Sequence, residues 1–335
     1  MAPARPTRRT TARALAVLAA VSVVVVALVA RLDSGDPDRG VTGSLSATEP
    51  TPQVVVPGQR IGDEYPPEAT LPTVFRLSSF NILGYGHTAP GGNRKGWADG
   101  RTRMRWQIEL LLERDIDVVG FQEFQPEQFQ TFTEEVGATW GVYPGDKLAR
   151  AAMHNSIAWR KDTWRLVEPG FIPIPYFKGV RIRMPVILLR HVETGQQAYF
   201  GNFHNPANAR GNAERWRDEA TRLQIGLANR LRTETGLPVF ITGDMNEKAE
   251  YFCKMTRGAP MIAANGGSNG SDGCRPPSPI HVDWIFGPVE TAFSGYLADR
   301  SEMVRKSSDH PMVIAEAMLP PRTEVNSCQT SPVPC

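Results

Sequence analysis

Between positions 74 and 317 the sequence repeats one pattern, short runs of β-branched and aromatic residues broken by Gly, Pro, Asp or Asn. Nine such runs predict strands: Val74–Ile82, Asp117–Glu123, Ser156–Arg160, Trp164–Pro169, Val186–His191, Gln197–His204, Pro238–Asp244, Val282–Phe286 and Met312–Ala317. Three stretches with helical spacing stand between them, Arg101–Arg114, Pro126–Val136 and Asn212–Thr235. In the last, Trp216, Ala220, Leu223, Leu227 and Leu231 recur three and four apart and make one apolar face. Helices and strands alternate only in places, which predicts a mixed α/β sandwich rather than a regular doubly wound sheet. No internal repeat is present.

The flanks have a different texture. Met1–Arg13 carries four arginines and no acid, and Ala14–Ala30 is an unbroken run of Ala, Leu and Val with one Ser. A charged n-region before an apolar h-region is the layout of an export signal. The 17-residue run is also at the short limit of a bilayer span. Residues 1–31 are therefore expected to be a cleaved signal peptide or an N-terminal membrane anchor, and the rest to be secreted or held at the extracellular face. Residues 32–71, rich in Pro, Gly, Thr, Ser and Asp, read as a linker. Residues 72–319 leave about 250 residues for one large domain with a proper core, and residues 320–335 form a Pro-rich tail.

Without the five arginines of the export segment, 32 basic side chains face 35 acidic ones. The exported part has no overall basic field, so any nucleic-acid binding must come from a local patch. All four cysteines follow the export segment, and an even number in an exported chain suggests two disulfides. Of three connectivities, Cys253–Cys274 and Cys328–Cys335 close the short Gly- or Pro-containing loops. A zinc site is disfavoured, because there is no Cys-x-x-Cys pair.

Acids, amides and histidines gather where the predicted strands end. Asn81 ends the first, Glu123 the second, His204 another before Asn205, and Asp244 and Asn246 follow Val239–Gly243. Asp283 lies inside an apolar run, and Ser308-Asp309-His310 precedes the last strand. Taken singly, Glu123 suits a solvated turn, Asp244-x-Asn246 is common turn composition, and His310 could cap an element. Asp283 is odder, since a carboxylate in an apolar strand needs a partner or a metal. Taken together and in this order, they point to a site.

The ordered set Phe80-Asn81, Gln122-Glu123, Gly243-Asp244-Met245-Asn246, Val282-Asp283-Trp284-Ile285 and Ser308-Asp309-His310 resembles the endonuclease/exonuclease/phosphatase superfamily, over roughly Phe75 to Ala317. That resemblance implies an α/β four-layer sandwich of the deoxyribonuclease I type, two packed mixed β-sheets flanked by helices, with the site at one end. It implies a hydrolase of phosphate esters that uses Mg²⁺ or Mn²⁺. Glu123 would hold the cation with Asn81 nearby. Asp244 and Asn246 would orient phosphate or water, or bind a second cation. His310, oriented by Asp309, would be the general base. His204 would stabilise the transition state, and Asp283 would complete the acidic cluster on metal or histidine. The chain departs from the family nucleases in two places. No carboxylate occurs in Met153–Ile157, where Asn155 stands in, and Phe124 and Gln125 follow the Gln-Glu pair where an Arg is frequent.

Two segments bear on the substrate. Arg94, Lys95, Trp97, Arg101, Arg103, Arg105 and Trp106 interleave cations with aromatics, as a nucleic-acid contact would. The competing reading of the second half is a basic helix start with Trp106 in the core. Arg94, Lys95, Arg101, Asn155 and Asn205 are the candidate substrate contacts. Phe171–Lys178 is Pro-broken, and is either an apolar loop for a lipid surface or a strand edge under the site's rim. The expectation is a monomeric extracellular nuclease. The alternatives are a phosphodiesterase of lipid headgroups and a catalytically dead binding module, and the filled Glu123 and His310 positions speak against the last.

Overall fold

The computed structural model describes residues 71–322; the expected export segment, the linker up to residue 70 and the Cys328–Cys335 pair lie outside the described residues. In chain order the elements are β1 (Thr73–Asn81), α1 (Tyr85–Thr88), α2 (Gly100–Glu113), β2 (Val118–Gln122), α3 (Pro126–Val136), β3 (Trp140–Tyr143), α4 (Arg150–Met153), β4 (Ile157–Arg160) and β5 (Trp164–Pro175). A 3₁₀ turn (Phe177–Gly179) leads to β6 (Arg181–His191), β7 (Gln197–His204), α5 (Glu214–Thr235), β8 (Val239–Asp244), α6 (Ala249–Gly258), β9 (Met261–Ala263), β10 (Ser268–Gly270) and β11 (Gly273–Arg275). The chain continues through β12 (Asp283–Pro288), β13 (Ala292–Asp299), α7 (Glu302–Ser307) and β14 (Met312–Leu319).

Two mixed sheets of six strands result, in the orders β13-β14-β1-β2-β4-β3 and β5-β6-β7-β8-β12-β9. Pairs β1–β2 and β7–β8 are parallel. Alternation along the strands sorts the apolar side chains into three layers. Phe75, Leu77, Trp164, Phe200, Phe240 and Val313 fill the space between the sheets, where the Phe75 ring meets Trp164 and Phe240 edge-on, each at 5.2 Å. Phe80, Phe121 and Ile314 face Met104, Ile108 and Phe132 of α2 and α3. On the far side, Tyr199, Ile241 and Trp284 face Ala220, Leu227, Leu231, Tyr251 and Phe252 of α5 and α6. This is the four-layer sandwich.

The predicted strands and helices are present, and the differences have physical causes. β5 runs on through Pro173 to Pro175, where a loop or a strand edge had been the open choice. It is an edge strand, and an edge strand tolerates proline because one side of its backbone needs no ladder partner. Helix α2 starts a residue early because Asp99 caps it, accepting from Arg101 N and Thr102 N at 2.9 and 3.2 Å. A disulfide joins Cys253 of α6 to Cys274 of β11 and pins the β10–β11 hairpin to that helix.

Near the future site the sheets are joined by a buried amide. Asn202 of β7 donates through Nδ2 to the carbonyls of Phe121, Asn155 and Ser156 at 2.7, 2.9 and 3.2 Å. Its Oδ1 accepts from Gln122 Nε2 at 2.7 Å and from Thr242 Oγ1 at 3.1 Å. The two sheets approach so closely there that a Cβ on Gly120 would lie 2.1 Å from Thr242 Oγ1. Replacing Asn202 by Ala strands several buried partners at once, each costing roughly 1–3 kcal/mol when unsatisfied. Asn202→Ala is therefore expected to lower unfolding free energy by about 3 kcal/mol or more in urea titrations. A loss below about 1 kcal/mol would mean the amide is dispensable.

Candidate active site

Strand register gathers the polar residues at one end of the sandwich. Asn81 ends β1 opposite Gln122 of β2, so Glu123 follows directly beside it. His204 ends β7 opposite Asp244, which ends β8. Asp283 begins β12 opposite the same Asp244. His310 stands just before β14, which runs antiparallel to β1. Leu83, Glu123 and Asn246, each just past a strand end, have positive φ of 54°, 62° and 50°. Left-handed backbone costs of order 1–3 kcal/mol at a non-glycine residue, so these turns are held by their surroundings.

Asn81 couples the two halves of the centre. Its Nδ2 donates to Glu123 Oε1 and to Asp244 Oδ2, both at 3.2 Å, while its Oδ1 accepts from Leu83 N. It thus presents its nitrogen to the carboxylates, not its oxygen, and acts here as a bridge rather than as an oxygen ligand. Glu123 Oε2 accepts from Gly84 N at 2.9 Å and lies 3.1 Å from His87 Nε2. Burial alone would raise the Glu123 carboxyl, but His87, the charge of His204 and the Gly84 N–H hold it well below the usual carboxylate range. The hydrogen bond to Glu123 in turn raises the His87 imidazole above its ordinary value.

His310 is oriented by Asp283. Its Nδ1 lies 2.9 and 3.1 Å from the two Asp283 oxygens. Asp309, the expected partner, instead accepts from Arg94 Nη2 at 2.7 Å. His310 Nε2 and His204 Nε2 face Asp244 Oδ2 at 3.8 and 3.5 Å, too long for hydrogen bonds. Burial opposes charge on His310, yet the Asp283 carboxylate lifts the imidazole to about 10. Burial pushes Asp283 up as well, so the pair keeps its shared proton across the neutral range.

The donor set suits a divalent cation. Ligand atoms of Asp244, Asp283 and His310 lie within 4.8 Å of one another. Glu123 stands across Asn81 as a further anion. A set dominated by carboxylate oxygens fits a hard ion.

Other expected contacts are not brought here. Asn155 and Asn205 are buried, their side chains closed off from the surface. Asn205 Oδ1 accepts from Gln224 Nε2 at 2.9 Å, and its carbonyl accepts from Asn246 Nδ2 at 2.9 Å, so it braces the site from below. Arg101 turns to Gln130 and Thr131 of α3. Arg105 pairs with Glu135. Arg103 is fully buried and donates to the carbonyls of Ile82, Leu83 and Ser307 at 2.8, 2.6 and 3.0 Å. The expected basic-aromatic contact is thus in large part a helix serving α3 and the β1 loop, and of its cations Arg94 stands beside the site, paired with Asp309. Sequence reasoning missed His87, in a Gly-rich stretch without periodicity, while Tyr176 belongs to the Phe171–Lys178 segment whose two readings are a lipid-facing loop and a strand edge under the rim. The Tyr176 ring lies 5.6 Å from that of His204. Burial, then the charges of Glu123 and Asp244, push its phenol well above the ordinary range, so it stays a neutral donor.

A sequence model described as the Endonuclease/Exonuclease/phosphatase family matches residues 78–310. No curated protein matches the chain by sequence. Among solved structures, the chain is similar to an endonuclease/exonuclease/phosphatase family protein of Bacteroides thetaiotaomicron, 21% identical over 74% of this chain and 96% of that one, with a TM-score of 0.58. A mannosyl-6-phosphatase of the same organism is 18% identical over 73% and 99%, with a TM-score of 0.55. TDP2 of D. rerio, complexed with single strand DNA product, is 15% identical over 73% and 99%, with a TM-score of 0.52. At these identities the likeness is one of fold.

The His310–Asp283 pair has a consequence for stability. A proton held in the folded state to about 10, against an ordinary value of 6.5, stabilises the fold fully below pH 6.5, and that contribution is lost as pH rises toward 10. In chelator, the Tm of the parent should fall across this window, and His310→Gln should lack that part of the fall. Parallel Tm profiles for the two proteins would refute the pairing.

Proposed function

The chain belongs to the endonuclease/exonuclease/phosphatase family, and from that premise we propose that it is a nuclease acting outside the cytoplasm. Family membership makes it a hydrolase of phosphate esters, of a kind that generally depends on divalent metal. The observation that carries the nucleic-acid reading is that cations flank the carboxylate centre on both sides. Arg94 pairs with Asp309 on one side, and on the other Arg210, in the loop after His204, reaches over Phe177 next to Tyr176. A diester that continues in both directions needs such contacts on each flank, whereas a terminal phosphate needs them on one.

The fold serves different substrates in its relatives: one is complexed with single strand DNA product and another is a mannosyl-6-phosphatase. A lipid-directed reading loses its support here, because Phe171–Pro175 is strand and Tyr176 packs against His204. The extracellular setting is supported by the Cys253–Cys274 disulfide and by the export-like first 31 residues. Among the described residues no helix is long and apolar enough to cross a membrane.

In the proposed reaction, water attacks phosphorus in line with the leaving oxygen, the P–O bond to that oxygen breaks, and the proton taken from the water is returned through solvent to the departing oxygen. Glu123, with Asp244 and Asp283, would hold a cation, proposed as Mg²⁺ or Mn²⁺, which when bound supplies positive charge to the phosphoryl oxygens. His310, oriented by Asp283, donates from Nε2 to a phosphoryl oxygen. Asp244, between two imidazoles and hydrogen-bonded by Asn81, takes the proton of the attacking water. Asn246 N donates to Asp244 Oδ1 at 3.0 Å and fixes that carboxylate. His204 Nε2 faces the other oxygen of that carboxylate, Oδ2, and supplies a second donor to the developing charge.

Plasmid nicking should require Mg²⁺ or Mn²⁺ and vanish in chelator, while sphingomyelin vesicles release no phosphocholine. Vesicle hydrolysis without nicking would overturn the nuclease reading, and full activity in chelator would overturn the metal. His310→Ala should cost roughly 10²–10³ in kcat. Asp283→Asn should approach that loss, since it removes the orienting carboxylate. Asp309→Asn should cost much less, because Asp309 holds Arg94. Equal losses for the two aspartates would refute this division of roles.

A further inference from the structure

Three cation–π pairs occur among the described residues, two of them where the β5–β6 turn meets α5; the third, Arg183 over Phe171, is on the other face of the hairpin, because Ile172 and Met184 beside them pack toward α5. Arg183 sits over Phe171 at 4.9 Å, Arg210 over Phe177 at 5.0 Å and Arg215 over Trp216 at 4.1 Å. Phe171, Phe177 and Arg183 belong to the β5–β6 hairpin, Arg215 and Trp216 to the first turn of α5, and Arg210 to the loop between β7 and α5. Hairpin and helix are in close contact. A Cβ on Gly179 would lie 2.7 Å from the Trp216 ring, and Gly179 has a φ of +79°, so only glycine lets the turn rest there. Gly179 N donates to Tyr176 O at 2.9 Å, and Tyr176 N to Val180 O at 2.8 Å. Arg181 pairs with Glu219 of α5. The rings are held in place before any ligand arrives.

The surface leads into the active site. The Phe177 ring lies 4.5 Å from that of Tyr176, which stands edge-on to His204 at 5.6 Å. Lys178, Arg210 and Arg215 are exposed, and none has a carboxylate partner among the described residues. Phe177 and Trp216 are only half-buried. Aromatic rings and guanidinium planes are the surfaces on which unpaired bases stack, and free cations beside them follow the phosphates. A duplex keeps its base faces hidden. At the hairpin tip Val180 is the one exposed large apolar side chain, while Arg210 covers Phe177 and Lys178 stands beside it.

We propose that the β5–β6 hairpin and the first turn of α5 form a track for single-stranded nucleic acid that leads the scissile phosphate past Tyr176 to His204. This rests on the nuclease reading above and names its substrate as an unpaired strand.

The test uses the full chain with Mg²⁺ and two probes, a thymidine dinucleotide and a thymidine dodecanucleotide. In the parent, kcat/KM should be higher on the dodecamer. In the double variant Arg210→Gln, Arg215→Gln, and separately in Phe177→Leu, that length advantage should fall roughly ten-fold. The slope of log kcat/KM against log salt should become shallower by roughly 0.7 for each phosphate contact removed. Both arginines are exposed, so the double variant carries the test even if Phe177→Leu is unstable. Variants that keep the parent's length advantage and salt slope would overturn the track, as would a parent that cuts both probes equally, and in either case the chain remains a nuclease. A parent that cuts neither probe nor plasmid but hydrolyses another phosphate ester would remove the nuclease reading, and the track with it.

Discussion

The site depends on a polar joint between two sheets that are otherwise held by aromatic packing. Asn202 lies where a pair of sandwich sheets would ordinarily place an apolar side chain, and its amide satisfies the carbonyl of Phe121 in the opposite sheet and those of Asn155 and Ser156 just before β4. Apolar contacts are non-directional and would tolerate sliding of one sheet over the other. A fully satisfied buried amide tolerates very little, because any slip leaves several partners unpaired in a low-dielectric interior. The joint sits one residue from Glu123 on one side and two from His204 on the other. It thereby sets the spacing between the halves of the site, with Gly120 allowing the close approach.

On that frame the site concentrates like charges. Glu123, Asp244 and Asp283 converge with only imidazoles and the Asn81 amide between them. Such an arrangement is costly without counter-charge, and the three left-handed residues at the strand ends add strain. Both costs are accepted where the fold must hold groups ready for a cation and a phosphate. Arg103 and Gln107 of α2 support the strained loop after β1 by donating to its carbonyls, which explains why a helix rich in arginine is turned inward rather than toward substrate.

Much of the fold was legible because its signals are local. β-branched runs ending in Gly, Pro or Asp marked most of the sheet strands, and α5 was marked by its apolar face. Short elements such as β3 and α7 were not singled out. Nor was β13, an edge strand with few buried side chains. The Pro-rich stretch after Pro169 left a choice between strand and loop that only its edge position resolved.

The sequence by itself determined which chemical groups stand at strand ends, their order, and hence the family and the reaction class. Those facts follow from chain position, which a strand converts directly into position along a sheet. Only the tertiary structure decided who pairs with whom. Asp309 precedes His310 in the chain, yet Asp283 from another strand orients the imidazole. The arginines of α2 looked like a phosphate contact, yet they serve α3 and a buried loop, while the exposed guanidinium groups stacked on rings lie on the β5–β6 hairpin and α5. Pairing of this kind is set by distances between residues far apart in the chain, and those exist only once both sheets have packed.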